Sequence, residues 1–451
     1  MTLNQLCIFI LSFTLLGCGK GSADLSQTRL TPQNIEKTQS LIEQRQHTII
    51  LEYSESFTAD SCEITDLINM AQTSPCACVA GVCTAGLTPS IMSVGSYSYK
   101  VFSGAESSNS KTIYAEIKKV VPFVSTWRVG AGDLSITLPL PSGYDYDFTV
   151  NWGDGSSSEV TSYNDSDITH AYSSPGDYDV EISGLVNAWS FNGLGDKDKL
   201  LTISELGTVG WKNLSGAFNG CTNLTTVSGG DTSQVKDMSY MFYDAVLATP
   251  DTSGWATSNV TDMSYLFYYA QEAIPDTSGW DVSKVTDLSG TFGYTNKADP
   301  DVSNWDTSNV VYMTGTFGVT NAADPDVSLW NTSKVTEMDE MFEGAIIANP
   351  DVSNWDVSNV IYMYEMFNGA SLANPDPSNW NLSSIEDMFF FANGSSLSTA
   401  NYDSLLIQLE LANVSNVDLD AGGTKYSTTG SAARTNLVNN KGWTINDGGQ
   451  I

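Results

Sequence analysis

Tryptophan recurs at one fixed interval in this chain: Trp255, Trp280, Trp305, Trp330, Trp355 and Trp380 stand 25 residues apart each time. Phe242, Phe267, Phe292, Phe317, Phe342 and Phe367 keep the same step, as do six prolines from Pro250 to Pro375. An aspartate follows each of those prolines, at Asp251, Asp276, Asp301, Asp326, Asp351 and Asp376. A unit this short cannot bury its apolar face alone, so a fixed period in the twenties predicts one supersecondary unit per repeat, stacked on its neighbours. The expectation is a solenoid of 25-residue coils.

Within a unit, "SNVTDMSYLF" (Ser258 to Phe267) sends Val260, Met263 and Phe267 inward and suits a strand or a tight turn. "NPDVSNWD" (Asn349 to Asp356) is rich in residues that bond their own backbones and predicts corners. Columns of successive coils should then stack at about 4.8 Å.

The chain has 451 residues, which allows roughly three or four domains. Its formal charge is −33. Residues 201–400 hold 25 Asp and Glu against 5 Lys and no Arg. That balance excludes nucleic acid, which needs a basic stripe, and disfavours an anionic membrane surface. Solubility of an exposed protein accounts for the acidity.

"LCIFILSFTLLGC" (Leu6 to Cys18) has an apolar core too short to span a bilayer and closes on small residues, as a signal peptide does. Its end, "LLGC", resembles the lipobox of bacterial lipoproteins, although "MTLNQ" before it lacks Lys and Arg. The resemblance implies a signal peptide at 1–17, lipidation at Cys18 and, with Gly19 next, an outer-membrane lipoprotein exposed at the surface. The membrane would be reached through that anchor only. Residues 18–47 follow as a polar spacer.

From Thr48 the texture alternates, as in "TIILEYSESF" (Thr48 to Phe57) and "SYSYKVF" (Ser96 to Phe102), which predicts a β-sandwich over 48–121. Cys62, Cys76, Cys78 and Cys83 lie within it. In an exported protein with no histidine nearby they read as disulfide partners rather than zinc ligands. Three connectivities are open. "CACVAGVC" followed by "SYSYKV" resembles immunoglobulin-like or cadherin-like bacterial modules.

Next, "FTVNWGDGSSSEV" (Phe148 to Val160) and "HAYSSPGDYDVEISG" (His170 to Gly184) resemble a PKD-like β-sandwich, placed at 122–190. Trp152 would fill the space between two sheets, and Gly153, Asp154 and Gly155 would form a tight turn. Asp154 reads as a turn residue before it reads as a calcium ligand or an acid catalyst.

The repeats, placed at 191–395, resemble BspA-type leucine-rich-repeat surface lipoproteins, with "LTISELGTVGWKNLSGAFNGCTNL" (Leu201 to Leu224) as a degenerate first unit. Residues 396–451, with "YDSLLIQLELA" and "SAARTNLVNNKGW", resemble the helical cap that follows such repeats. The fold class expected is thus mainly β: two N-terminal β-sandwich modules, a leucine-rich-repeat-like solenoid and a small α/β cap.

Two ladders invite functional readings. The tryptophans from Trp255 to Trp380 are either a stacked core or a binding stripe for sugars and proteins. The Asp251 to Asp376 column is a weak calcium candidate, since neighbouring carboxylates at that spacing repel by only about 0.9 kcal/mol in water and no other cofactor or metal is implied. Two distant histidines provide no triad or zinc set, and there is no G-x-S-x-G elbow, phosphate loop or H-E-x-x-H. Acids abound, yet a catalytic pair should break the repeat rather than obey it. No enzyme is expected. The function expected is adhesion to a surface protein or glycan of another cell or matrix, as the resemblance implies. The alternative is a structural stalk or coat component without a ligand.

Overall fold

The computed structural model describes residues 121–451 throughout and, before them, the backbone of seven strands between His47 and Ala115. Residues 1–46, which include the expected signal peptide, Cys18 and nearly all of the expected spacer, lie outside the described residues. The chain divides into two compact units, Met1–Val120 and Val121–Ile451.

In the first unit the strands are β1 (His47–Leu51), β2 (Ser61–Asp66), β3 (Thr73–Val79), β4 (Val82–Leu87), β5 (Gly95–Ser103), β6 (Glu106–Ser107) and β7 (Lys111–Ala115). They form one antiparallel sheet in the order β1-β4-β3-β2-β5-β6, with β7 also on β5. Its register sets Cys62 across from Cys76 and Cys78 across from Cys83.

The second unit begins with β8 (Phe123–Val129), β9 (Ser135–Thr137), β10 (Tyr146–Asn151), β11 (Ser157–Val160), β12 (Thr169–Ala171) and β13 (Gly176–Val186). Residues of β8 and β10 alternate between buried and outward positions, as strands with one covered face do. β14 (Leu200–Glu205), β15 (Thr226–Val227) and β16 (Thr249–Pro250) complete a seven-stranded sheet in the order β11-β10-β13-β8-β14-β15-β16. It is antiparallel as far as β14 and parallel from there on. β9 and β12 pair separately.

These sheets overturn the expected fold class of two β-sandwiches followed by a leucine-rich-repeat-like solenoid. Alternation marks a strand with one buried face, but it does not say whether that face meets a second sheet of the same module. Here β8 lies between β13 and β14, and the sheet runs on into the first repeats, so seven of the nine strands between residues 123 and 250 share one sheet. Nor do the later repeats supply a strand each. Single parallel bridges link Asp237, Asp262, Asp287, Tyr312, Glu337, Tyr362 and Asp387 in turn. The corner residues explain this, because their side chains take the backbone N–H groups that a strand would offer its neighbour. Asp251 Oδ1, for example, accepts from the Ser253 N–H and hydroxyl, and the same pair recurs at Asp276 and Ser278.

What joins units is a short one-directional ladder. The N–H groups of Met238, Tyr240, Phe242 and Asp244 donate to the carbonyls of Asp262, Ser264, Leu266 and Tyr268, each 24 residues on, and later units repeat the pattern. A single hydrophobic core extends from Phe123 to Trp443. Phenylalanines from Phe242 to Phe367 stack at 5.5–5.9 Å within it.

The chain ends in α1 (Thr399–Ala412), β17 (Asp418–Asp420), α2 (Thr428–Lys441) and β18 (Thr444–Asn446). Ser398 caps α1, accepting from the Asn401 N–H, and α2 stops at Gly442 with φ 70°. Leu405, Leu406 and Leu409 bury one side of α1. A bridge from Met388 to Leu419 joins the last repeat to this segment.

Candidate functional site

The tryptophan ladder faces inward. Trp255, Trp280, Trp305, Trp330, Trp355 and Trp380 are all buried, the most exposed at 6%. Trp255, Trp280, Trp305 and Trp330 stack at 6.1–6.2 Å within 8° of parallel. Their indole N–H groups fall into two sets. Trp330, Trp355 and Trp380 donate to the carbonyls of Val302, Val327 and Val352, whereas Trp255, Trp280 and Trp305 have no partner. Trp355→Phe is therefore expected to lose about 1 kcal/mol more stability than Trp280→Phe, since only the first removes a formed hydrogen bond. Urea unfolding of the two variants measures the difference.

The Asp251, Asp276, Asp301, Asp326, Asp351 and Asp376 column is solvent-facing, but each carboxylate accepts from the serine two residues on. The serine hydroxyl, ahead of its N–H, lowers the pKa of Asp251, Asp276, Asp326 and Asp351. Among the described residues no three His, Cys, Asp or Glu side chains are grouped to hold a metal ion.

At the turn after β10, Trp152 is fully buried and stacks on His170 at 4.9 Å. Asp154 pairs with His170 at 2.8 Å and accepts from Ser156, whose hydroxyl is the main reason its pKa falls to about 2. Ser156 and Asp154 approach the same imidazole nitrogen, so the three do not form a relay. Gly153 and Gly155 both take positive φ, 80° and 91°.

The columns that break the repeat lie elsewhere, on the segment that carries Met and Phe inward. In the unit from Asp237 to Asp244, Met238, Met241 and Phe242 are buried, while Tyr240, Tyr243 and Asp244 point outward. Two of these outward positions hold left-handed backbone in unit after unit. In one column they are Tyr240, Tyr265, Gly290, Gly315, Glu340, Glu365 and Phe390. In the other they are Asp244, Tyr269, Tyr294, Val319, Gly344, Gly369 and Gly394. Glycine takes this conformation freely, whereas another residue pays about 1–2 kcal/mol. The same backbone thus has an inexpensive solution that the chain uses in some units and forgoes in others. Where it is forgone, the side chain itself is what is retained.

Those side chains form a continuous surface. Tyr240 stacks on Tyr265 at 4.9 Å, Tyr243 on Tyr268 at 5.3 Å and Tyr269 on Tyr294 at 4.5 Å. Tyr268 also meets Tyr294 and Tyr269, which makes one cluster of six rings, each partly exposed. Burial pushes up the hydroxyl pKa of Tyr265, Tyr268 and Tyr294. The next unit has Gly290 and Gly293, and the rings of Tyr265 and Tyr268 lie over them so closely that a Cβ would sit 2.5 and 2.8 Å away. One unit further on, a Cβ on Gly315 would meet nothing within 4 Å, which leaves an open step.

Beyond that step stand Asp339, Glu340, Glu343 and Glu365. Burial raises Asp339 to about 6 even though the Tyr364 N–H donates to it. Burial first, and then a hydrogen bond with Glu365, raises Glu343 to about 7. Glu340 is raised by burial and by Glu365. Burial first, and then the Glu343 and Glu340 carboxylates, raise the Tyr294 hydroxyl, so these two acids lie within electrostatic reach of that ring. Phe389, exposed and stacked on Tyr364 at 6.3 Å, lies on the far side.

A raised carboxyl pKa has a signed consequence for stability. Unfolded Glu343 ionises near its ordinary pKa of about 4.3, while the folded form holds its proton until about 7. Stability should therefore fall as pH rises across that window and level off above it. Glu343→Gln is expected to flatten the fall, by roughly 1 kcal/mol after solvent screening. Melting temperatures of both proteins at pH 5 and pH 8 check it.

Sequence reasoning singled out the two columns that obey the repeat and passed over those that break it. The available signal was the change from Tyr to Gly to Glu at constant phase, from Tyr240 to Glu365.

The family described as a Mycoplasma protein of unknown function, DUF285, matches residues 190–299 and 286–404. No curated protein and no solved structure matches the chain. These findings correct the resemblances drawn from the sequence. Neither a PKD-like nor an immunoglobulin-like or cadherin-like module is found before the repeats, and the similarity of the repeats is to DUF285 rather than to a BspA-type leucine-rich-repeat lipoprotein. Short cues such as WGDG describe a turn, and a turn does not specify a module.

Proposed function

We propose that the protein is a surface-anchored lipoprotein that binds a protein or glycan of another cell or matrix through the tyrosine and carboxylate face of its repeats. One observation carries this reading: tyrosine and glutamate occupy left-handed positions that neighbouring units give to glycine. Outward aromatics of this kind supply large contact area with little conformational freedom to lose. A catalytic use of the carboxyl pair fits less well. Glycosidase carboxyls stand about 5–9.5 Å apart to admit a sugar or water, whereas Glu365 lies close enough to Glu343 to raise its hold on a proton.

The test uses the full-length protein, immobilised and exposed to labelled cell-surface and matrix fractions. Saturable retention should drop about thirtyfold in the Tyr268→Ala, Tyr269→Ala double variant, given roughly 1 kcal/mol for each aromatic anchor. Equal retention by both proteins would sink the face as the binding site. No saturable retention by either would leave the structural stalk as the better reading. Anchoring is tested separately: radiolabelled palmitate should enter the wild type and not Cys18→Ala. Among the described residues no helix is long and apolar enough to cross a membrane.

A further inference from the structure

We propose that this face receives a cationic polypeptide segment, a Lys- or Arg-rich run laid along the repeats with its side chains over the tyrosine rings and against Glu340, Glu343 and Glu365. The inference rests on the binding role proposed above and adds the chemical class of the partner.

Charge is the first argument. Residues 201–400 hold 25 acids, 5 lysines and no arginine. Four of those five lysines are engaged elsewhere: Lys212 donates to Asn187, Lys284 to Asn259, Lys334 to Asn309, and Lys297 pairs with Glu272. Among the described residues no Lys or Arg forms an ion pair with Glu340, Glu343 or Glu365. Crowded carboxyls without a countercharge relieve their repulsion by holding a proton, as Glu343 does, and an incoming ammonium or guanidinium can take that role instead. A neutral sugar would not, and an anionic one would add to it.

Ring chemistry is the second. The six tyrosine rings stack on one another and are partly exposed, with Tyr294 nearest the carboxylates, and a cation that reaches an uncovered ring face gains about 0.5–2 kcal/mol. A Lys or Arg stem also lies well on aromatic surface while its head reaches an acid. Shape is the third. Gly315 lowers the middle of the face, since a Cβ there would find open space, whereas Tyr265 and Tyr268 cover Gly290 and Gly293. From Tyr240 to Phe390 the face spans six unit steps, about 30 Å at sheet spacing, the length of about nine extended residues.

The experiment measures fluorescence anisotropy of labelled nonalysine and nonaarginine with the full-length protein, alongside a neutral hexasaccharide and nonaglutamate. Wild type should bind both cationic peptides saturably, less tightly as salt rises, and should not bind nonaglutamate. Glu343→Gln with Glu365→Gln should weaken peptide binding about tenfold, as should Tyr269→Ala, while Asp276→Asn with Asp301→Asn, which removes equal charge from another column, should leave it unchanged. Melting curves establish that each variant is folded, and Glu340→Gln replaces any that is not. Equal weakening by the Asp276 and Asp301 pair would overturn the proposal, because binding would then follow net charge. Hexasaccharide binding lost in Tyr269→Ala, without peptide binding, would also overturn it yet leave the binding face intact. If no probe binds and the double tyrosine variant retains cell fractions as wild type does, both readings fail.

Discussion

Replacing Phe317 with alanine is expected to destabilise the protein by about 3–5 kcal/mol, the usual cost of emptying a buried phenylalanine site. Phe317 is fully buried, with Phe292 stacked on one face at 5.7 Å and Phe342 on the other at 5.6 Å. Trp330 closes a third side at 6.1 Å. Collapse around the void is resisted because backbone bonds fix the spacing of successive units: the Phe317 N–H donates to Met341 O and the Phe292 N–H to Thr316 O. Leu329, also in the repeats but 78% exposed, is the control, and Leu329→Ala should change stability by no more than about 0.5 kcal/mol. Denaturant unfolding of both variants measures the contrast. A loss below about 1 kcal/mol at Phe317 would mean that the column is not packed as described.

A loss of about 3 kcal/mol or more is expected for Gly153→Ala, from two separable causes. With φ at 80°, any other residue pays about 1–2 kcal/mol for left-handed backbone. The added Cβ would also lie 2.5 Å from the Asp179 carbonyl oxygen and 3.0 Å from its nitrogen. Those are backbone atoms of β13, which is paired to β10 on one side and β8 on the other and cannot retreat. Gly155 separates the two causes. Its φ is 91° but a Cβ there meets nothing within 4 Å, so Gly155→Ala should show the conformational cost alone. Equal melting temperatures for the two variants would refute the clash.

The same accounting explains why the outward columns stand out. At Tyr240, Tyr265, Tyr269, Tyr294, Glu340 and Glu365 the chain accepts a left-handed non-glycine residue, and stacking or hydrogen bonds among those side chains offset the cost only in part. Stability alone would have placed glycine there, as it stands at Gly290, Gly315, Gly344 and Gly369. The carboxylates show the same surplus, since Glu343 and Asp339 are held partly protonated by burial rather than paired with a cation. Sites for binding commonly carry such local cost.

The sequence by itself determined the features that one unit's chemistry settles. The 25-residue period, the apolar identity of the Met263 and Phe267 positions and the turn-forming Asp251 and Ser253 pair need only local bonding and the alternation of apolar with polar residues. It did not reveal that β8 pairs with β14, because strands more than 70 residues apart leave no mark of their pairing in composition. Nor did it show that Tyr268 and Tyr294 share a surface with Glu343 and Glu365. Each of those residues is ordinary in its own unit. Only the stacking of units brings them within reach of one another, and there burial and like charge shift the carboxyls that a single unit would leave ordinary.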